Sequence, residues 1–391
     1  MKKFLILTFC CALCFSCFAS KENKPNNTRN LSKYVENKFA DNEIYQTQSP
    51  YETVKVVQPV GKKVKNIILI IGDGMGLTHV SSAWVVNRGK LNLDNFPFIG
   101  FSRTYSANHL ITDSGAGGTA LSTGHKTNNY VVGVDTLGNP LVSVIEEARK
   151  VGKRTGVSVV CRLNDATPAD FCCHNTDREQ AEAIVADYLN CGVDYIVGGG
   201  MKYWRNRTDN RDMIAEMIQK GYHVAENDSV LMQTRQLPVL AVLADLEFPI
   251  ALRRGDLFQR TTMKGVQMLS NKNGFFMMVE GSCIDDWSHA NKAGNMLEEV
   301  LDLDRTIGQI LQWAEKDGET LVVVTADHET GGLTLLDGDI KAGVVGVHFA
   351  SEGHSNMVVP VYAYGPQAEQ FMGIYENAQL GQKILNLLKG N

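Results

Sequence analysis

The sequence predicts an α/β fold with a doubly wound, mostly parallel central sheet and helices on both of its faces. Two observations predict it. The run NIILIIGDG, at positions 66–74, is continuously apolar and then stops at glycines, which is typical of a buried parallel strand that ends in a loop. Downstream of it, short apolar runs alternate with helix-like segments, the pattern of a sheet that is covered on both faces.

The remaining elements follow in chain order. Apolar residues that recur at helical spacing predict helices over residues 141–153, 178–192, 211–222, 296–318 and 378–390. Short apolar runs rich in β-branched or aromatic residues predict strands over residues 155–160, 193–200, 274–281, 319–325 and 358–366. No internal repeat and no low-complexity tract interrupts this alternation.

Composition and the N-terminus divide the chain into three parts. The 391 residues are 44 % hydrophobic with a formal net charge of −5, which is enough for a large core and argues against a nucleic-acid surface. Residues 1–19 combine a basic start, a short apolar run and small residues, as a secretory signal does. Residues 20–60 are polar and aperiodic, so they predict an arm or spacer, and residues 61–391 form a single globular domain.

The apolar run in the signal is too short to span a membrane, so we expect an exported protein without a transmembrane segment. Cys17 offers a lipoprotein anchor as the alternative to simple cleavage. Five cysteines remain after the signal, and none has zinc-type CxxC spacing: Cys161, Cys172, Cys173, Cys191 and Cys283. We expect most of them to be small buried residues, with room for one disulfide whose partners stay open.

Polar residues recur directly after the apolar strands. Asp73 follows the first strand, Asp165 and Thr167 follow the second, and Glu280 ends the GFFMMVEG strand. Ligand sites of open α/β sheets lie outside the carboxyl ends of the strands. These residues should therefore converge, although they are far apart in sequence.

Several of them have the chemistry of metal ligands. Asp285 and His289 are four residues apart and would share one side of a helical turn. Asp327 and His328 are adjacent at a strand end, and His354 follows a glycine. Histidines with carboxylates suit zinc, and the oxygen donors of Asp73, Thr167 and Glu280 suit Mg²⁺. Taken singly, each pair has an ordinary alternative as a helix cap, turn residue or surface pair.

Ser114 stands out in the stretch TDSGAGGTALSTG. At a helix start it could simply be an N-cap, or it could be a nucleophile that a metal deprotonates, with the small residues after it leaving room for a phosphoryl group and metals. A Ser-His-Asp triad is a third possibility, but no G-x-S-x-G elbow is present. Arg178, predicted to open a helix after the NDATPAD loop, could clamp two phosphoryl oxygens or could be a surface residue.

The motifs NIILIIGDGMG, TDSGAGGTALSTGHKTNN, NDATPAD with a following arginine, VEGSCIDDWSH, TADHETGG and EGHSN resemble those of alkaline phosphatases, in the same order. The resemblance covers the chain from about Lys65 to its end. It implies hydrolysis of phosphate monoesters with two Zn²⁺ and one Mg²⁺, in a chain that we expect to form a homodimer.

The resemblance also implies a role for each candidate residue. Ser114 would form a phosphoserine and Arg178 would bind the substrate phosphate. One zinc would be held by Asp285, His289 and His354, and the other by Asp73, Asp327 and His328. Asp73, Thr167 and Glu280 would hold magnesium, with Asp165 beside its water shell.

Two positions depart from the resemblance. Gly115 stands where an alanine is common in bacterial members, and Asp286 stands where members often carry Lys, His or Trp. An acidic side chain at that place would repel phosphate, and Asp286 also competes with Asp285 for the role of ligand because it too can share a helix face with His289. The alternatives to a monoesterase are a phosphodiesterase or sulfatase of the same superfamily, and a non-enzymatic phosphate- or metal-binding protein.

Overall fold

The computed structural model describes residues 42–61 and 63–390. The predicted signal and Cys17 lie outside the described residues, and the predicted arm is described only from residue 42. The strands are β1 (Glu43–Gln46), β2 (Asn66–Gly72), β3 (Phe98–Arg103), β4 (Arg154–Arg162), β5 (Tyr195–Gly199), β6 (His223–Ala225), β7 (Val239–Val242), β8 (Phe275–Gly281), β9 (Thr320–Thr325), β10 (Glu329–Thr330), β11 (Leu333–Asp339), β12 (Val344–Phe349), β13 (His354–Ser355), β14 (Val359–Tyr364) and β15 (Gly373–Glu376).

The helices are α1 (Leu77–Val86), α2 (Ser114–Thr123), α3 (Val144–Lys150), α4 (Ala166–Cys172), α5 (Ala181–Cys191), α6 (Met201–Arg205), α7 (Met213–Gln219), α8 (Asp228–Gln233), α9 (Ala251–Arg254), α10 (Leu257–Leu269), α11 (Cys283–His289), α12 (Ala293–Asp317) and α13 (Asn377–Lys389). Short 3-10 helices cover Asn92–Asn95 and Ala368–Phe371. No helix within the described ranges combines the length and the apolar character that crossing a bilayer requires.

A ten-stranded sheet forms the centre, in the order β15-β3-β14-β9-β2-β8-β4-β5-β7-β6. Its strands pair in parallel except where β14 lies antiparallel to β3 and to β9. Two separate hydrophobic cores flank the sheet. Ile68 and Ile70 of β2 pack into the core of α1, α10 and α12, whereas Ile67 and Leu69 pack into the core of α3, α5 and α13. This alternation of side chains confirms the predicted doubly wound α/β fold.

The predicted strands and helices all occur, with shorter bounds at several ends. One local prediction is wrong: NDATPAD is not a loop, because most of it forms α4, with Asp165 as its N-cap. The sequence also gave no sign of a small antiparallel sheet, β1-β12-β11, in which β1 comes from the segment predicted to be an arm.

The arm residues that are described pack on α12. Tyr45 donates a hydrogen bond to buried Glu298 at 2.8 Å, and Tyr51 donates one to buried Asp304 at 2.5 Å. These contacts add to other hydrogen bonds on the same carboxylates, since Asp304 also accepts from the Asn92 and Leu93 amides and Glu298 from Thr47. The five cysteines after the predicted signal are buried free thiols, so the structure contains no disulfide among them.

Candidate active site

The register of the central strands brings the predicted polar residues to one edge of the sheet. Ile71 of β2 lies opposite Glu280 of β8 and opposite Thr325 of β9, all in parallel pairs. Asp73 and Asp327 each follow two residues later, so they leave the sheet at the same level. The position of these residues agrees with the rule that sites in such sheets form at the carboxyl ends of the strands.

Asp73, Asp327 and His328 form a group that we call the serine-side cluster, in which one potential ligand atom from each lies within 4.8 Å of the others. His328 Nε2 lies 3.4 Å from Asp73 Oδ1, 3.1 Å from Asp327 Oδ2 and 3.2 Å from Ser114 Oγ. Both carboxylate oxygens are buried without a hydrogen-bond partner. Buried unsatisfied oxygens that converge on one nitrogen and one hydroxyl match the donor set of a zinc site.

Asp285, His289 and His354 form a second group, the helix-side cluster. Asp285 and His289 lie one turn apart on α11, with 3.1 Å between Asp285 Oδ2 and His289 Nε2. The pairing of β10 with β13 places His354 opposite Thr330, and His354 Nε2 lies 3.0 Å from His289 Nε2. The structure therefore groups Asp285, rather than Asp286, with the two histidines.

The helix-side histidines have their outer nitrogens occupied. His289 Nδ1 contacts the carbonyl oxygen of Glu352, and His354 Nδ1 lies 2.8 Å from the carbonyl oxygen of Thr112. A carbonyl only accepts, so both Nδ1 atoms carry the proton and the two Nε2 lone pairs of the neutral rings face each other. Such an arrangement needs a cation between the rings, which a zinc ion or a proton can supply.

The charges around this cluster shift its pKa values in opposite directions. The hydrogen bond with Asp285 raises the pKa of His289 to about 9. Burial, together with the charge of His328, lowers the pKa of His354 to about 4. Although burial works to raise it, the bond with His289 and the nearby histidine charges hold the pKa of Asp285 well below its usual value. The helix-side cluster thus combines one carboxylate with two histidines whose pKa values shift in opposite directions.

The third predicted group, for magnesium, consists of Asp73, Thr167 and Glu280, with Asp165 beside them. The Thr167 hydroxyl is buried and has no hydrogen-bond partner, and burial beside Asp165 and Asp327 raises the pKa of Glu280 well above its usual value. The Asp165 carboxylate is partly occupied by other donors, since it accepts hydrogen bonds from the Ala166 backbone amide and from Arg162, each at 2.9 Å. An uncompensated carboxylate and a free hydroxyl suit a hard cation such as Mg²⁺.

Ser114 is the first residue of α2, but it is not the helix cap. Asp113 is the N-cap, and its carboxylate accepts a hydrogen bond from the Ala116 amide at 3.0 Å. The capping interpretation of Ser114 is therefore wrong. Its hydroxyl is free to point at His328 Nε2, at the positive end of the helix.

The contacts of His328 also exclude a Ser-His-Asp triad. In a triad the serine and the carboxylate bind opposite nitrogens of the ring. Here Ser114, Asp73 and Asp327 all face Nε2, while Nδ1 lies 3.2 Å from the hydroxyl of Thr330. A ring whose one nitrogen faces two carboxylates and a hydroxyl has the geometry expected of a metal ligand rather than that of a general base.

The glycines after Ser114 make room for protein atoms rather than for a ligand, contrary to the prediction. A Cβ on Gly115 would lie 2.5 Å from the Val131 carbonyl oxygen, one on Gly117 would lie 3.0 Å from the Asp327 carbonyl oxygen, and one on Gly118 would lie 2.2 Å from Asp170 Oδ2. The small residues thus let α2 approach the strand end that carries Asp327.

Substitution of Gly118 by alanine should therefore destabilise the fold. The clash is with a buried carboxylate that also accepts a 2.8 Å hydrogen bond from Thr119, so it cannot move aside freely. We expect Gly118→Ala to lower the free energy of unfolding by about 1–3 kcal/mol in urea titrations. Gly353→Ala is the control, because a Cβ there would meet no atom within 4 Å. Equal stability of the two variants would contradict the packing argument.

Arg178 lies in the turn before α5, which begins at Ala181, so it precedes the helix that it was predicted to open. Its Nη1 donates to Asp113 Oδ2 at 2.9 Å, and its Nη2 lies 3.5 Å from Asp165 Oδ1. Asp113 thus links the start of α2 to the guanidinium. The fork thus contacts the residue directly before Ser114, and its paired N–H groups suit two oxygens of a phosphoryl group.

Sequence reasoning missed Asp113 and Thr330. Thr330 donates a hydrogen bond to Asp285 Oδ1 and faces His328 Nδ1 at 3.2 Å, so it joins the two clusters. The spacing carried a signal, because residues 328 and 330 share one face of an extended segment. For Asp113 the signal was its place directly before Ser114.

Asp286 lies open to solvent at the rim of the site. Although the side chain is exposed, the surrounding protein partly desolvates its carboxyl group, and together with the charges of Asp285 and Asp165 this raises the pKa of Asp286 to about 7. The positive charge of Arg162 opposes this shift only in part. Its guanidinium is already paired with Asp165 at 2.9 Å and with Glu247 at 3.2 Å.

Comparison with known proteins decides the family. A family model described as alkaline phosphatase matches residues 64–344. Alkaline phosphatase 4 of Bacillus subtilis is 30 % identical, over 90 % of this chain and 94 % of its own. The chain belongs to the alkaline phosphatase family. Alkaline phosphatase of Escherichia coli K12 is 29 % identical, over 82 % of this chain and 85 % of its own.

Solved structures of the family agree. The alkaline phosphatase of the Antarctic bacterium TAB5 is 37 % identical with a TM-score of 0.80, over 84 % of this chain and 100 % of that one. A variant of the TAB5 enzyme with Mg bound in its M3 site has a TM-score of 0.79, over 86 % of this chain and 99 % of that one. By family and by fold, the chain is thus a phosphatase.

Proposed function

We propose that this protein is an exported alkaline phosphatase that hydrolyses phosphate monoesters through a phosphoserine on Ser114, at a site with two zinc ions and one magnesium ion. The observation that carries the proposal is the convergence of Asp73 Oδ1, Asp327 Oδ2 and Ser114 Oγ on His328 Nε2. Such a set supports a nucleophile that lies among the ligands of a cation.

The residues present fit the metals. The serine-side cluster would hold one zinc, the helix-side cluster the other, and Asp73, Thr167 and Glu280 the magnesium, with Asp165 beside it. The buried unpartnered oxygens of Asp73, Asp327 and Thr167 are donors that a cation would satisfy. When bound, the metals act as Lewis acids that lower the pKa of a hydroxyl and stabilise negative charge on a leaving group.

The side chains then divide the work of two displacements. Arg178, oriented by Asp113, holds two non-bridging oxygens of the phosphoryl group, and the N-terminus of α2 adds positive potential. Ser114 Oγ gives its proton to solvent and forms a bond to phosphorus, while the bond from phosphorus to the ester oxygen breaks. The ester oxygen leaves with the bonding electrons and takes a proton from solvent. Water then displaces Ser114 from phosphorus, which returns the hydroxyl and releases phosphate with net retention.

Activity assays on three classes of ester test the reaction class. The purified protein should hydrolyse a chromogenic phosphate monoester at neutral to alkaline pH with zinc and magnesium, and lose that activity after chelation. A matched phosphodiester and a sulfate ester should react far more slowly. Preference for either would reassign the chain within its superfamily, and no turnover of any ester with metals bound would make it a binding protein.

Export and assembly are part of the same proposal. We propose cleavage of the signal after Ala19 and a homodimer in solution. The mass of the mature N-terminus from a secreting host separates cleavage from lipid attachment at Cys17, and sedimentation measures the oligomeric state. A retained N-terminus in the cytoplasmic fraction would contradict export, and a monomer at micromolar concentration would contradict the dimer.

A further inference from the structure

Tyr130 has an unusual backbone for its residue type. Its φ is +69°, in the left-handed region that a tyrosine rarely adopts. Its side chain is 62 % exposed, so the ring gains little packing that would offset the strain. Strained residues of this kind cluster at functional sites.

The strain is held by the residues that orient the phosphate. The Tyr130 amide donates to Asp113 Oδ2 at 3.1 Å, and its carbonyl oxygen accepts from the Arg178 amide at 2.9 Å. The next residue, Val131, packs its carbonyl oxygen against Gly115, directly after Ser114. Tyr130 therefore lies next to the proposed phosphate site, with its backbone hydrogen-bonded to both Asp113 and Arg178.

Two more exposed apolar side chains lie on the neighbouring loop. Leu110 is 69 % and Ile111 is 45 % exposed, three to four residues before Ser114. Asn129, the residue before Tyr130, binds this loop through two hydrogen bonds. Its side-chain Nδ2 donates to the Ile111 carbonyl oxygen at 3.0 Å, and its backbone amide donates to Asn108 Oδ1 at 3.0 Å. Tyr130, Ile111 and Leu110 thus form an apolar rim beside a polar site.

We propose that Tyr130 contacts the leaving group of the substrate, and that the rim favours monoesters whose leaving group carries a flat aromatic ring, such as the base of a nucleoside or the ring of a phenol. A phosphate held by Arg178 keeps its ester oxygen near this rim, where an aromatic group can stack on the Tyr130 ring. This inference rests on the proposed monoesterase function and adds a substrate class to it.

The test compares three monoesters, a nucleoside 5′-monophosphate, an aryl phosphate and glycerol phosphate, on the wild type, Tyr130→Gly and Tyr130→Phe. Tyr130→Gly should lower kcat/KM for both aromatic esters roughly tenfold more than for glycerol phosphate, the scale of one stacking contact. Tyr130→Phe keeps the ring and should keep the wild-type ratio. If kcat/KM fell for only one of the two aromatic esters, the proposed substrate class would be limited to that kind of ester.

The melting temperature provides the second readout. Relief of the backbone strain should raise the melting temperature, whereas loss of the contact with the leaving group should lower the preference for aromatic esters. Tyr130→Gly should melt at a higher temperature than the wild type while its preference for aromatic esters falls. Arg88→Gly is the matched control: Arg88 is exposed with φ +59° beyond the C-terminus of α1, so its change should raise the melting temperature without altering the ratio.

Three outcomes would overturn the inference. An unchanged ratio in Tyr130→Gly means that the ring contacts no leaving group. Equal loss on all three esters means a structural role, and a change of oligomeric state on sedimentation means that Tyr130 faces a second copy of the chain. If the wild type hydrolyses glycerol phosphate, the proposed monoesterase function stands whatever the variants show. If the wild type hydrolyses none of the monoesters, both the proposed function and this inference are wrong.

Discussion

Ser114→Ala is expected to reduce the turnover of a phosphate monoester by at least about 10³-fold, because it removes the atom that forms the covalent intermediate. The hydroxyl is buried, lies 3.2 Å from His328 Nε2 and does not cap α2. Its loss should therefore leave the helix and the metal clusters in place. Zinc content and melting temperature should stay near those of the wild type.

Ser122→Ala is the matched control for this change. Ser122 is a buried serine on the same helix, and its hydroxyl bonds only to the Thr119 carbonyl oxygen, at 3.3 Å. Its variant should keep activity. Acid quenching with labelled substrate should trap phosphate on Ser114 in the wild type and none in Ser114→Ala. Label on another residue, or activity above a tenth of wild type in Ser114→Ala, would remove the serine from its proposed role.

The central sheet could be predicted from the sequence because its strands are buried on both faces. In β2 every residue is buried, and the strand is continuously apolar from Ile67 to Ile71. An apolar run that ends in Gly-Asp-Gly is easily recognised. The small sheet of β1, β11 and β12 could not be predicted. Its strand β11 is mostly half-buried with a bulge between Leu335 and Asp337, so no simple period marks it.

The two clusters of candidate ligands were predictable for a related reason. Strand ends converge in a parallel sheet, so residues such as Asp73 and Asp327 needed only the register to meet. What the sequence could not show was which nitrogen of His328 faces the serine, since that depends on the rotation of one ring. It also could not show the strain at Tyr130, because backbone dihedral angles of loops follow from tertiary contacts.

Asp285→Asn is expected to remove one zinc ion per chain and to lower kcat/KM by at least about 10²-fold. Asp285 is the only carboxylate of the helix-side cluster, within 3.1 Å of His289 Nε2 and 3.6 Å of His354 Nε2. An amide in its place cannot neutralise a divalent ion. Metal analysis by mass spectrometry, before and after dialysis against limiting zinc, measures the loss.

Asp286→Asn is the matched change one residue later. Asp286 is open to solvent and is not part of either cluster, so this variant should keep its full zinc content. Removal of a negative charge beside the phosphate site should instead strengthen inhibition by inorganic phosphate by about three- to tenfold, the scale of one charge–charge interaction at a partly hydrated distance. The inhibition constant from initial rates reports it.

The two variants make the same chemical change at adjacent positions of the same helix, so differences in helix propensity largely cancel between them. What remains is the difference between a carboxylate that faces two imidazole nitrogens and one that faces solvent and substrate. If Asp286→Asn lost zinc while Asp285→Asn kept it, the register of α11 against the histidines would be reversed. If neither lost zinc, the two Nε2 atoms of His289 and His354 would have to balance their facing lone pairs with a proton alone, and the helix-side cluster would not be a zinc site.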